Sequence, residues 1–143
     1  MVFRLLTLAL VFISLISACS SKPYNYDTAI NNGNIVNLHG NIKNGERLEV
    51  FYQNYKSKTK DKIRITQFTI EGDPIIYDFD FDGIDIKLRY DNSKDKHGTS
   101  NIRSTACKEL IKTATKAGND YTLKGCYGKD IDLGNDFRFE VST

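Results

Sequence analysis

A chain of 143 residues, 40% hydrophobic and 27% charged, is long enough for one globular core and too ordinary in composition for a fibrous or low-complexity protein. Its formal charge of +2 speaks against a dedicated nucleic-acid binder. With only two histidines, His39 and His97, no histidine cluster joins the cysteines in a zinc site.

At the N-terminus, Arg4 precedes an apolar run from Leu5 to Ile16, followed by Ser17-Ala18-Cys19. The run is too short to span a bilayer and suits the core of an export signal. Ile16-Ser17-Ala18-Cys19 resembles the bacterial lipobox, which implies cleavage after Ala18 and a diacylglyceryl group on Cys19. Two acyl chains would anchor the chain stably in the membrane, facing outside the cytoplasm. An ordinary secretory signal and an uncleaved anchor are the alternatives. Assigning Cys19 to the lipid leaves Cys107 and Cys126, a pair expected to form a disulfide outside the cytoplasm. Residues 1–18 are thus read as signal peptide, 19–26 as lipidated cysteine and tether, and 27–143 as one domain.

Asp27 is positioned to cap a short helix ending near Gly33, and Asn31 to Asn44 reads as loop with short extended pieces. Leu48, Phe51, Tyr52 and Tyr55 share one helix face over residues 45–58. That aromatic stripe is expected to cover the sheet that follows. Lys56, Lys58, Lys60, Lys62 and Arg64 form the one basic run. It reads as a helix end whose cations complement the macrodipole and then enter solvent, with contact to anionic lipid or wall polymer as the alternative.

Residues 63–91 carry three apolar/polar alternations separated by Gly72-Asp73-Pro74 and Asp82-Gly83, the pattern of an antiparallel meander with one buried face. A two-residue turn at Asp82-Gly83 would pair Phe81 with Ile84, Phe79 with Ile86, Tyr77 with Leu88 and Ile75 with Tyr90. The opposite face would pair Asp80 with Asp85 and Asp78 with Lys87, so removing Asp80 should be neutral or mildly stabilising. A turn at Gly72-Asp73 would set Ile70 against Ile75 and Phe68 against Tyr77. A β-bulge near Thr66 or Gln67 is then needed to keep Ile63 and Ile65 inside. Without it, both faces of that strand must be partly covered.

Residues 92–103 read as loop. Residues 105–117 fit either a helix or a strand, and strands are expected over 121–126 and 137–141. The fold class is α+β: an antiparallel sheet of the central meander plus C-terminal strands, covered by an N-terminal helix and closed by one disulfide.

Asp78, Asp80 and Asp82, followed by Gly83, match the first six positions of a calcium-binding EF-hand loop. Arg89 occupies the twelfth position, where the bidentate Glu belongs, and no helices flank the segment. The three aspartates therefore read as the wet face of a strand, with a weak calcium site including Asp85 as the alternative. No nucleophile elbow, zinc-protease helix or phosphate-binding loop is present in the sequence, no cofactor is implied, and the histidines sit in polar loop contexts.

The runs YNYDTAINNGNIVNLHGNIKN, KIRITQFTIEGDPIIYDFDFDG and YDNSKD, with Cys107 and Gly125-Cys126, resemble a family of small Gram-positive lipoproteins catalogued as domain of unknown function 4362. The resemblance implies an α+β lipoprotein domain with a strand-like segment before Cys126, and brings no catalytic residue or cofactor. The expected function is a lipid-anchored, non-catalytic surface module binding an envelope protein or cell-wall component. An envelope-associated hydrolase without a recognisable motif is the alternative.

Overall fold

The computed structural model describes residues 24–142. The signal segment, Cys19 and the tether up to residue 23 lie outside the described residues. The elements run α1 (Tyr26–Asn31), β1 (Ile35–Leu38), β2 (Asn41–Lys43), α2 (Glu46–Lys56), β3 (Asp61–Phe68), β4 (Pro74–Phe81), β5 (Ile86–Asp91), β6 (Ile102–Cys107), β7 (Glu109–Ala114), β8 (Gly118–Lys124), α3 (Ile131–Asn135) and β9 (Arg138–Ser142).

The α+β class holds, but the strands form two sheets rather than one. Six strands in the order β2-β1-β3-β4-β5-β6 make a large mixed sheet, in which β1 runs parallel to β3. Strands β7-β8-β9 make a small antiparallel sheet. The division falls at Lys108 because the free edge of β6 is already occupied. Ala106 exchanges backbone hydrogen bonds with Tyr127, and the Ser104 amide donates to the Asp130 carboxylate. An edge covered in this way cannot accept another strand.

The meander of β3, β4 and β5 keeps the expected buried face with a different register. Phe81 pairs with Ile86, Phe79 with Leu88 and Tyr77 with Tyr90, two residues further along than a two-residue turn would place them. A type I′ turn needs positive φ at both central residues. Gly83 adopts it (φ 98°) and Asp82 does not. Asp82 instead accepts the Ile84 and Asp85 amides through Oδ1, both at 3.0 Å, which stabilises a four-residue loop and leaves Ile84 exposed.

The first hairpin corrects the bulge. Its ladder is unbroken from Asp61↔Phe81 to Phe68↔Pro74, with Ile65 opposite Tyr77 and Ile63 opposite Phe79. The five-residue loop 69–73 restores the parity assigned to a bulge, and Ile70 projects into solvent at 89% exposure. Both faces of β3 are covered at its C-terminal end. Ile63 and Ile65 face the main core, while Thr66 and Phe68 lie under α1, where Phe68 packs with Ala29 and Val36.

Helix α2 lies on the inner face of the large sheet beside the small one. Its Phe51 ring meets Phe79 edge-on at 6.2 Å, Tyr55 meets Phe81 at 5.3 Å, and Tyr52 meets Tyr121 of β8 at 6.2 Å. The predicted stripe thus packs as core against both sheets. Helix α1 is capped by the Asn25 side chain rather than by Asp27. Residues 105–117 are strand throughout apart from the Lys108 break and the turn at 115–117, so the helical alternative does not form. Helix α3, which carries no sequence periodicity over its five residues, fits under the disulfide joining Cys107 and Cys126. A Cβ on Gly134 would come within 2.6 Å of both sulfurs, which explains a glycine inside that helix.

Candidate functional site: a charged sheet face and an interlayer cleft

On the outer face of the large sheet, strand register aligns two rows of side chains. One runs Lys62, Asp80, Lys87, Ala106 and the other Arg64, Asp78, Arg89, Ser104. Each aspartate therefore stands between two cations, rather than opposite Asp85 or Lys87 as the shorter turn would place them. Arg64 donates to both oxygens of Asp78 (2.6 and 3.0 Å), with Arg89 3.7 Å away on the other side, and Lys62 reaches Asp80 at 2.7 Å. The carboxyl of Asp82 is held down at about 2, first by the Asp85 amide and then by that of Ile84, with Lys87 at 3.3 Å. The three aspartates of the alternative calcium reading are thus engaged separately. Among the described residues no group of three or more His, Cys, Asp or Glu is arranged to hold a metal ion. His39 and His97 lie in turns on the surface.

A titratable cluster around Glu49 was not signalled by any motif. Glu49 on α2 accepts bonds from Lys112 Nζ and Tyr121 OH at 2.7 Å each, and from Gln53 at 2.8 Å. Lys112 and Tyr121 face each other across β7 and β8. The Lys112 bond, followed by those of Gln53 and Tyr121, holds the Glu49 carboxyl down at about 2. Burial, then the bond to Glu49, pushes the Tyr121 hydroxyl well above its ordinary value. A carboxylate that acidic and a phenol that reluctant to ionise are poorly matched to proton transfer at neutral pH. The cluster works as a clasp between α2 and the small sheet. Because the folded pKa is depressed, its stabilisation is complete above about pH 4.5 and is lost as pH falls toward 2. Glu49→Gln is expected to make the acid limb of a melting-temperature profile shallower in that window. An acid limb identical to wild type would refute the clasp.

The inner face of the large sheet changes character along its strands. Rows Asp61–Phe81–Ile86–Cys107 and Ile63–Phe79–Leu88–Thr105 are mostly apolar, whereas the next reads Ile65–Tyr77–Tyr90–Arg103. There a cleft of about 370 Å³ opens between the large sheet and the α3–β9 segment. Its aromatic wall is Tyr77, with Tyr90 edge-on at 5.2 Å and Phe137 at 6.0 Å. Burial raises both tyrosine hydroxyls above their ordinary values, and among the described residues neither has a hydrogen-bond partner. Around them stand Gln67, Arg103, Asp132, Asp136 and Arg138. Arg103 is bonded to Asp132, whose carboxyl it lowers, and lies 3.7 Å from Asp130. Arg138 pairs with Asp120 at 2.8 Å. Asp136 has no ion pair among the described residues. The cleft thus combines aromatic surface, unengaged donors and acceptors, and balanced charge.

The family model for the domain of unknown function DUF4362 matches residues 32–122, well over half of the chain. The chain belongs to that family. Among curated proteins and among solved structures, nothing matches it. The DUF4362 match holds β1 through most of β8, and hence the charged rows, the clasp and the tyrosine side of the cleft. It is narrower than the resemblance read from the sequence, leaving out α1 and Gly125-Cys126. It also leaves out the α3–β9 segment, which supplies Asp132, Asp136, Phe137 and Arg138.

Proposed function

We propose that this DUF4362 protein is a lipid-anchored, cell-surface binding module that holds a saccharide segment of the cell envelope in the interlayer cleft. The observation that carries the reading is the pair of unengaged hydroxyls on Tyr77 and Tyr90, set beside Phe137 at the mouth of a concave site. Sugars present C–H faces that pack on aromatic rings and hydroxyls that both donate and accept. A few polar groups placed around an apolar wall are what such a site requires. The lipobox-like Ile16 to Cys19 supports the anchor, and the Cys107–Cys126 disulfide suits an exported domain.

The chain has eight tyrosines and no tryptophan, so its intrinsic fluorescence reports tyrosine environments directly. Titrating the purified lipoprotein with soluble cell-wall glycan fragments is expected to give a saturable fluorescence change. Tyr90→Ala and Asp136→Ala should each weaken binding about tenfold, corresponding to about 1.4 kcal/mol. Affinity unaltered in both variants, or no saturable response, would sink the reading.

A hydrolase is the second reading, because Asp132 and Asp136 share this cleft and paired carboxylates are the usual equipment for glycoside hydrolysis. The Arg103 pair keeps Asp132 ionised and unsuited to act as the acid. New reducing ends appearing during incubation with wall glycan, and absent with Asp136→Asn, would favour the hydrolase over the binder.

A further inference from the structure

The outer face of the large sheet is where the chain enters the fold. The Tyr24 hydroxyl shares a 2.8 Å hydrogen bond with Thr66 Oγ1 on that face, and Lys94 Nζ lies 4.9 Å over its ring. Cys19 is five Cα steps earlier, a span of no more than about 18 Å even fully extended. A lipid on Cys19 would therefore keep this face within reach of the headgroup layer.

Its charge suits that placement. The two outward rows contribute Lys62, Arg64, Lys87 and Arg89, and Lys94 and Lys129 flank them. Against these six cations stand four carboxylates, Asp78, Asp80, Asp82 and Asp91, whose ion pairs engage Lys62, Arg64, Lys87 and Arg89, so the excess of two positive charges rests on Lys94 and Lys129. At the β6 end of the rows, Ser104 and Ala106 form a low floor walled by Tyr127 and Gly128. Lysine and arginine stems can lie along such a floor while their charged ends turn outward. Basic groups feel an anionic membrane only within about a Debye length, roughly 8 Å at physiological salt, and the short tether supplies that proximity.

We propose that the outer face of the large sheet docks on the anionic lipid surface of the membrane that anchors the chain. This rests on the lipid-anchor reading above and is independent of what the interlayer cleft binds. That cleft opens on the opposite side of the large sheet, so both sites can be occupied together.

The test uses the full lipoprotein, extracted from membranes and reconstituted into vesicles carrying a headgroup-linked quencher. A fluorophore is placed at Ser104→Cys on the outer face, or at Thr122→Cys on the small sheet. In vesicles of phosphatidylcholine with phosphatidylglycerol, position 104 is expected to be quenched several-fold more than position 122. The difference should vanish in phosphatidylcholine alone, and also when Lys62, Arg64, Lys87 and Arg89 are all changed to Gln. The wild-type comparison of the two lipid compositions stands even if that fourfold variant fails to fold.

Equal quenching at both positions in anionic vesicles, with the protein still floating with them, would overturn the docking alone. A chain that never floats with the vesicles would remove the anchor, and the docking with it. A difference that persists in phosphatidylcholine alone would overturn the electrostatic basis. Protection of position 104 by soluble polyglycerol phosphate, but not by vesicles, would assign the face to a wall polyanion and likewise overturn the proposal.

Discussion

Phe79→Ala is expected to cost about 3–5 kcal/mol, the largest loss from any single truncation in this domain. Phe79 is 2% exposed and lies where three layers of side chains meet. Its ring is 6.2 Å from Phe51 of α2 and 4.9 Å from Phe137 beside β9, so it joins the large sheet to both elements that cover it. Removing it opens a cavity that neither neighbour can collapse into without leaving its own contacts. Its neighbour in sequence supplies the control. Asp80 is half-exposed between Lys62 and Lys87, and Asp80→Asn leaves those two cations facing each other. That change should be mildly destabilising, within about 1 kcal/mol, rather than stabilising. Urea denaturation of the two variants checks the ordering. A Phe79→Ala loss no larger than that of Asp80→Asn would mean that the three layers do not meet at this ring.

The double variant Cys107→Ala/Cys126→Ala is expected to lose about 3 kcal/mol, the chain-entropy value for a loop of roughly twenty residues. For a domain of this size that corresponds to a melting temperature about 10 °C lower. The bond joins the end of β6 in the large sheet to the residue pair following β8 in the small one. Cys107 is fully buried, and Gly134 lies directly over both sulfurs. Cys126 is only partly buried, so reductant should reach the bond from its side, and thiol labelling of the unreduced native protein should be slow. Rapid labelling without denaturant, or a melting temperature within about 2 °C of wild type in the double variant, would show that the bond does not stabilise this fold.

Where a segment was long and its periodicity strict, sequence and structure agree. The stripe Leu48, Phe51, Tyr52 and Tyr55 reads as a helix face and is one. The alternation in β4 and β5 assigns Tyr77, Phe79, Phe81 and Leu88 to the inside, where they lie. Hairpin register was not legible to the same degree. A slip of two residues leaves every side chain on its proper face, so alternation alone cannot distinguish a two-residue turn from the four-residue loop that Asp82 stabilises. The interlayer cleft was hidden for a different reason. Tyr77 and Tyr90 come from neighbouring strands, and Asp132, Asp136 and Phe137 from a segment with no pattern of its own. Only the fold brings them together.

By itself, then, the sequence determined three things: the α+β class, the buried face of the meander, and the two cysteines available to pair. Each follows from local chemistry, namely the period of apolar residues along a helix or strand and the parity of the thiols. The lipid on Cys19 belongs to the same kind of local reading and awaits its test. Tertiary structure alone decided the division into two sheets, because that depends on Tyr127 and Asp130 occupying the edge of β6 from more than twenty residues away. It also decided the role of the aspartates. Three carboxylates at alternate positions are the same letters in a calcium loop and in a strand. What separates them is the cations that register places beside them: Arg64 and Arg89 at Asp78, Lys62 and Lys87 at Asp80.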